Sequence, residues 1–199
     1  GQSILAGTMF KSRLKDGIDF TSIEGAANLP YAIPNMLVDL QTTQVGVPVL
    51  WWRSVGSTHN AFSTEVMINE LAVAAKQDPV SFRLALLKNH PRPRGVLDLA
   101  GQKAGRGKPL PKGRWRGVAV HESFHSYVAE VVEISIADGK PKVERVVCAV
   151  DCGVAVNPDM VRAQMESGII FGLSAALYGE ITLKDGQVVQ SNYHDYQIV

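Results

Sequence analysis

No run of apolar residues in this chain is long enough to cross a bilayer. The longest mostly apolar stretch, Ser167–Leu177, falls short of the roughly 20 residues a membrane helix needs. An excess of one charge is also missing: 20 Lys and Arg face 19 Asp and Glu, a net charge of +1. The clustered basic surplus of a nucleic-acid binder is therefore absent. No repeat of roughly 20–50 residues recurs, which excludes solenoids. Gly1-Gln2-Ser3-Ile4 is neither an initiator methionine nor a charged leader running into an apolar core, so either the true N-terminus has been removed or the sequence is an excerpt of a longer one, and the compartment stays open. Cysteine is scarce. Cys148 and Cys152 are the only two, and in a strand their α carbons would lie about 13 Å apart, too far for a disulfide. Buried, reduced thiols are expected.

What is present is ordinary globular material, 46% hydrophobic and 20% charged over 199 residues, enough for one large domain or two small ones. Residues 1–52 read as short extended pieces broken by Pro30, Pro34 and Pro48, with strand content from Asn35 to Gln44. A helix is expected over Asn60–Ala75, with Phe62, Val66, Leu71 and Ala75 on the apolar face and Glu65 and Glu70 on the other. Asp78-Pro79 is an N-cap followed by a first-turn proline, opening a second helix that Asn89-His90-Pro91 ends. Residues 91–113 interleave Pro and Gly with Arg and Lys and read as a solvated linker, with a short helix at Val96–Lys103. From Gly117 to Asp151 the pattern is β, with a hairpin turning at Asp138-Gly139. Asn157-Pro158 caps a helix to Leu177 that is apolar on nearly every side and is expected to be buried. A second hairpin turns at Asp185-Gly186. The fold class expected is α+β, mixed sheets with β-hairpins packed on a long buried helix.

Three strings are candidates for chemistry. His121-Glu122-Ser123-Phe124-His125 is formally H-E-x-x-H, which on a helix would bind zinc with Glu122 as general base. Its flanks are strand-like, and in a strand the two imidazoles are too far apart for one metal, so a strand end facing a cleft is preferred. Trp51-Trp52-Arg53-Ser54-Val55-Gly56 places an arginine and a small turn before a helix start, where free N–H groups and the dipole favour anions. An ordinary strand–turn–helix junction fits the same string. Gln164 lies seven residues after Asn157 on the same side of the apolar helix, followed by Gly168 and Gly172. Those glycines would admit another backbone or a flat cofactor, and a buried Gln164 would need its amide satisfied.

These strings in order resemble the molybdenum-binding large subunits of the xanthine oxidase/aldehyde oxidase family, in particular isoquinoline 1-oxidoreductase β subunits. The similarity runs through Trp52-Arg53-Ser54-Val55-Gly56 with Asn60-Ala61-Phe62 and Glu65, then Asp78-Pro79 with Phe82-Arg83, then Gly117–Phe124. It continues through Asp151-Cys152-Gly153 with Asn157-Pro158, Gln164 with Gly168, Gly179–Thr182 and Ser191–Tyr196. The resemblance implies a molybdenum–pyranopterin cofactor, in bacterial members often as a cytosine dinucleotide, with 2Fe–2S clusters on a small partner subunit and not on this chain. It implies insertion of water-derived oxygen into an N-heterocycle or an aldehyde. It places Arg53, Ser54, Val55, Gly56, Gln164 and Gly168 against the cofactor. It implies an internal fragment: residues 1–90 the end of a first cofactor-binding subdomain, 91–113 the basic linker, 114–199 part of a second. The remainder of the large subunit is then a partner. The family's glycine-rich loop and catalytic glutamate match nothing here, so no catalytic residue and no metal ligand is assigned, and the fragment alone should not turn over. A non-catalytic module of the same fold, or a zinc peptidase on the H-E-x-x-H string, are the competing readings.

Overall fold

The computed structural model describes residues 14–15, 18–41, 43, 45–47 and 52–199. The chain divides into two compact units, Gly1–Cys152 and Gly153–Val199. In the first unit, a two-residue ladder pairs β1 (Leu14–Lys15) with β2 (Ile18–Asp19). Three helices follow: α1 (Ser57–Ala74), α2 (Pro79–Leu86) and α3 (Pro91–Lys103). An antiparallel sheet completes it, β3 (Arg114–Ser123), β4 (Ser126–Ala137) and β5 (Lys140–Asp151), in the order β3-β4-β5. The second unit holds α4 (Pro158–Leu177) and a small hairpin of β6 (Leu183–Lys184) and β7 (Gln187–Val188).

Local chemistry sets most boundaries. The Asp78 carboxylate accepts from Ser81 N at 2.8 Å and caps α2, while Pro79 sits where a missing N–H costs nothing. Asn157 does the same for α4, its Oδ1 accepting from Asp159 N and Met160 N. Asp138 and Gly139, with φ of 51° and 73°, turn β4 into β5 in the left-handed geometry that matches strand twist. Phe124 and His125 make a turn of the same kind between β3 and β4, with φ of 50° and 60° and no glycine to ease it.

Strand alternation sorts the sheet into two faces. On one, Val118, Val131 and Val147 line up across the three strands, as do Val120, Ala129 and Ala149. Helix α3 packs on this face through Val96, Leu97, Ala100 and Ala104, with Leu87 of the α2 end beside them. Leu87 and Leu97 are fully buried, each worth about 1.5–3 kcal/mol of transfer free energy.

Several expectations need correction. The α+β class holds, but the described sheets are antiparallel throughout rather than mixed. Residues 91–113 are not simply a linker, because 91–103 form a core helix. Pro91 and Pro93 fall in its first turn, where their missing N–H groups are not needed, and Gly95 meets open space. No strand forms among the described residues of 35–44; residues 42 and 44 lie outside the described set. Helix α1 is turned relative to its apolar pattern. Glu65, Ile68 and Ala72 are buried while Phe62 is 72% exposed and Leu71 45%. Helix α4 forms where expected, yet none of its residues is buried. Within its own unit the only other regular element is a pair of two-residue strands, too little surface to cover a helix apolar on all sides. The cysteines are free but only half-buried.

Candidate functional site

The turn before α1 is held from outside. Ser54 and Val55 both adopt left-handed backbone, φ 72° and 51°, and for a β-branched valine that conformation is a true outlier. Val55 N donates to Trp52 O at 3.0 Å, Ser57 N to Ser54 O at 3.0 Å, and the Thr58 hydroxyl to Arg53 O. Residues 23–28 cross this turn closely. A Cβ on Gly56 would sit 2.6 Å from Glu24 O, and one on Gly25 would sit 3.1 Å from Ser57 Cα. Two glycines are therefore required at one backbone crossing.

That crossing changes the role expected of Gly56. Gly56 N donates to the Glu24 carboxylate at 3.4 Å, and Asn60 Nδ2 donates to Glu24 O at 2.7 Å. The chain's own carboxylate occupies the anion-favouring start of α1. Gly56 is buried against protein, while Arg53 and Ser54 are exposed and Val55 is half-buried. Trp51 of the same string lies outside the described residues.

Glu122 ties this turn to the end of β3. Its carboxylate accepts from Asn28 Nδ2 at 3.2 Å and from His125 N at 2.9 Å, while Asn28 Oδ1 accepts from Gly25 N at 3.1 Å. His121-Glu122-Ser123 is strand and Phe124-His125 is turn, so the zinc geometry does not form. No group of three or more His, Cys, Asp or Glu among the described residues is placed to hold a metal. His121 Nε2 is buried without a hydrogen-bond partner. Burial holds that imidazole below its usual pKa, against the opposing pull of Glu65 and Glu122.

Glu65 and Arg83 both lie in the strings that carry the family resemblance, but nothing in the sequence paired them in the buried polar network behind this region. Arg83, wholly inaccessible, donates to Glu65 Oε2, Glu65 O, Asn69 Oδ1 and Pro79 O at 2.9–3.1 Å. Tyr31 Oη donates to Glu65 Oε1 at 2.7 Å. Burial first, then the neighbouring Glu65, raises that phenol's pKa. Glu65 Oε2 also accepts from Val120 N at 2.9 Å, and Asn69 Nδ2 donates to Val118 O at 3.4 Å. Side chains of α1 thus satisfy the outer edge of β3 in place of a fourth strand. Spacing alone, with Glu65 placed 18 residues before a helical arginine, does not single out the pair.

In the second unit, Gln164 is exposed rather than buried, and its amide has no hydrogen-bond partner among the described residues. A Cβ built on Gly168 or Gly172 would meet nothing within 4 Å. At i, i+4 and i+8 the three residues share one side of α4. This strip presents open space over both glycines beside the exposed amide of Gln164. The Arg53 turn and this strip belong to different units, so each stands as a separate candidate.

Residues 100–199 match the molybdopterin cofactor-binding domain family. The chain belongs to that family, within the xanthine oxidase group that the ordered motifs resemble. It is 34% identical over 174 residues to the beta subunit of the isoquinoline 1-oxidoreductase of Brevundimonas diminuta, covering 85% of this chain and 22% of that protein. It is 30% identical over 192 residues to a nicotinate dehydrogenase subunit of Pseudomonas putida, covering 85% of this chain and 16% of that protein. It is 28% identical over 168 residues to a membrane-bound aldehyde dehydrogenase of Gluconacetobacter polyoxogenes whose name carries pyrroloquinoline quinone, covering 73% of this chain and 22% of that protein. The chain thus spans about a fifth of the length of these relatives. No helix among the described residues is long and apolar enough to cross a membrane.

Proposed function

We propose that this chain is an internal part of the large subunit of a molybdenum hydroxylase and contributes one stretch of its cofactor cradle. The observation that carries this reading is the strip on α4, where the unpartnered Gln164 amide stands beside Gly168 and Gly172 with open space above both glycines. The family match over residues 100–199 includes that strip. Gln164 would hydrogen-bond the heterocyclic edge of a molybdenum–pyranopterin, in its cytosine dinucleotide form, and the two glycines would let it lie close. When bound, that group supplies the two-electron oxidation of an N-heterocycle or an aldehyde with oxygen derived from water.

Arg53 and Ser54 are the second contact, an exposed fixed charge beside an exposed hydroxyl on a turn that Glu24 and Thr58 brace. Val55 and Gly56 shape that turn. Gly56 acts through its fit against Glu24 rather than by touching the cofactor. No residue of this chain takes the role of general base. The electron acceptor is a small subunit with 2Fe–2S clusters, and the remainder of the large subunit covers the exposed apolar side of α1 and the apolar α4.

The test is metal analysis of the full-length subunit purified with its small partner, together with Arg53→Ala and Gln164→Ala. Close to one molybdenum per subunit is expected in the parent, reduced content or activity in both variants, and unchanged thermal unfolding. Molybdenum absent from the matured parent would favour a cofactor-free module of the same fold. Full content and unchanged kinetics in both variants would remove these residues from the cradle. Mass analysis of the nucleotide released by acid hydrolysis reads the cytosine form directly.

A further inference from the structure

At one end of the three-stranded sheet, the register brings Glu122 of β3, Tyr127 of β4 and Asp151 of β5 into one row, on the face that α3 packs against. Arg92, the second residue of α3, lies over that row. Its Nε and Nη2 donate to the two carboxylate oxygens of Asp151 at 2.9 Å each, and its guanidinium carbon stands 4.4 Å from the centroid of the Tyr127 ring. Nη2 also donates to His125 O and Asp151 O, each at 3.4 Å. A cation in the first turn opposes the helix dipole, so the stability of α3 does not account for Arg92. Its contacts lie instead on the end of the sheet and on the Phe124-His125 turn.

Both residues of that turn are left-handed without being glycine, and such backbone persists where surrounding contacts fix it. His125 is held at both of its backbone groups by side chains of opposite charge. Arg92 donates to its carbonyl, and the Glu122 carboxylate accepts from its N–H at 2.9 Å. The other oxygen of Glu122 accepts from Asn28 Nδ2 at 3.2 Å, and Asn28 Oδ1 accepts from Gly25 N at 3.1 Å. Gly25 is buried against Ser57, while Glu24 takes the Gly56 N–H and the Asn60 amide. A continuous set of contacts therefore runs from the start of α3 to the turn that carries Arg53.

We propose that Arg92 is a positioning residue for the Arg53 turn. It fixes the β3–β4 turn, that turn fixes the Glu122 carboxylate, and Asn28 then holds residues 23–28 against Gly56 and Ser57. Arg92 acts on the Arg53 turn through Glu122 and Asn28. Its consequence for the molybdenum cofactor rests on the proposed role of Arg53, whereas the positioning itself does not.

Hydrogen exchange over residues 53–60, in the full-length subunit with its small partner, measures the positioning directly. Arg92→Ala should speed exchange there about fivefold. Arg92→Lys keeps the charge but loses the paired donors, and should not restore the parent rate. Arg145→Ala is the matched control: Arg145 donates to Lys103 O at 3.0 Å and ties the other end of α3 to the sheet, so its loss should leave residues 53–60 unchanged. Adding Arg92→Ala to Asn28→Ala should speed exchange little beyond Asn28→Ala alone, since both break one path. Unchanged exchange in Arg92→Ala overturns the proposal, as does an equal effect of Arg145→Ala or full additivity with Asn28→Ala. Molybdenum content separates this proposal from the cofactor reading. A fall in Arg92→Ala alongside Arg53→Ala is expected, and a fall in Arg53→Ala alone overturns the positioning role. Unchanged content in both, with faster exchange in Arg92→Ala, faults the role given to Arg53 and upholds the positioning.

Discussion

Replacing Glu65 by leucine should cost more stability than replacing Arg83, although the two form one ion pair. Arg83 is wholly buried and the Glu65 side chain is 6% exposed, with Nε and Oε2 at 2.9 Å. Removing one partner of such a pair typically costs about 3–5 kcal/mol, because the other is left as an uncompensated buried charge. The two vacated states differ. In Arg83→Leu, Glu65 keeps its donors from Tyr31 and Val120, and a carboxyl can become neutral by taking a proton. In Glu65→Leu, a guanidinium that cannot lose its proton stays in the core, and the Tyr31 hydroxyl and Val120 N–H lose their acceptor as well. The expected losses are about 3 kcal/mol for Arg83→Leu and about 5 kcal/mol for Glu65→Leu. The double variant should lose less than their sum by about 2 kcal/mol or more, the mark of coupled residues. Urea unfolding of the chain, followed by circular dichroism, measures all three. Equal single costs, or a double variant that equals the sum, would refute the argument.

Other outcomes follow from single groups. Burial raises the Glu130 carboxyl pKa, so its folded value exceeds the unfolded one. Its contribution to stability is complete below the unfolded value and is lost as pH rises through the folded value. Glu130→Gln should therefore raise the melting temperature at pH 8, with the gain gone near about pH 4. His121 titrates the other way, since burial lowers its folded value. Its contribution is present above about pH 6.5 and falls on acidification, so His121→Gln should flatten the stability profile between about pH 7 and pH 5. Burial pushes the Cys148 thiol up to about 11. Alkylation by iodoacetamide at pH 8 should then run about a hundredfold slower than for an ordinary thiol, read by mass spectrometry of the Cys148 peptide. Gly56→Ala should destabilise the start of α1, because its Cβ would lie 2.6 Å from Glu24 O, and hydrogen exchange over residues 56–60 should speed up.

The parts of this fold that were legible in the sequence are those governed by local chemistry. Asp78-Pro79 and Asn157-Pro158 announced two helices because a side-chain oxygen and a fixed φ act within one turn. Asp138-Gly139 announced a hairpin for a similar reason. The helix expected at Val96–Lys103 formed, but its start at Pro91 and its place in the core were hidden because prolines and glycines were read as breakers, when Pro91 and Pro93 fall in a tolerant turn and Gly101 packs against Val80. The Phe124-His125 turn carries no turn residue at all. The face of α1 was misjudged because hydrophobicity predicts what leaves water, and here a charged pair left water instead. The candidate site divides likewise. The Gln164 strip kept its spacing on α4 but not its expected burial. The closure of Gly56 by Glu24 depends on a contact across 32 residues that no local pattern encodes.

The helix side chains that satisfy the outer edge of β3 also limit how this sheet can grow. Glu65 and Asn69 occupy the N–H of Val120 and the carbonyl of Val118 that a neighbouring strand would use. Strand addition is therefore opposed at that part of β3, while among the described residues no strand pairs with the far edge of β5. The side chains that accompany the buried Arg83–Glu65 pair thus also close this stretch of the β3 edge to a further strand.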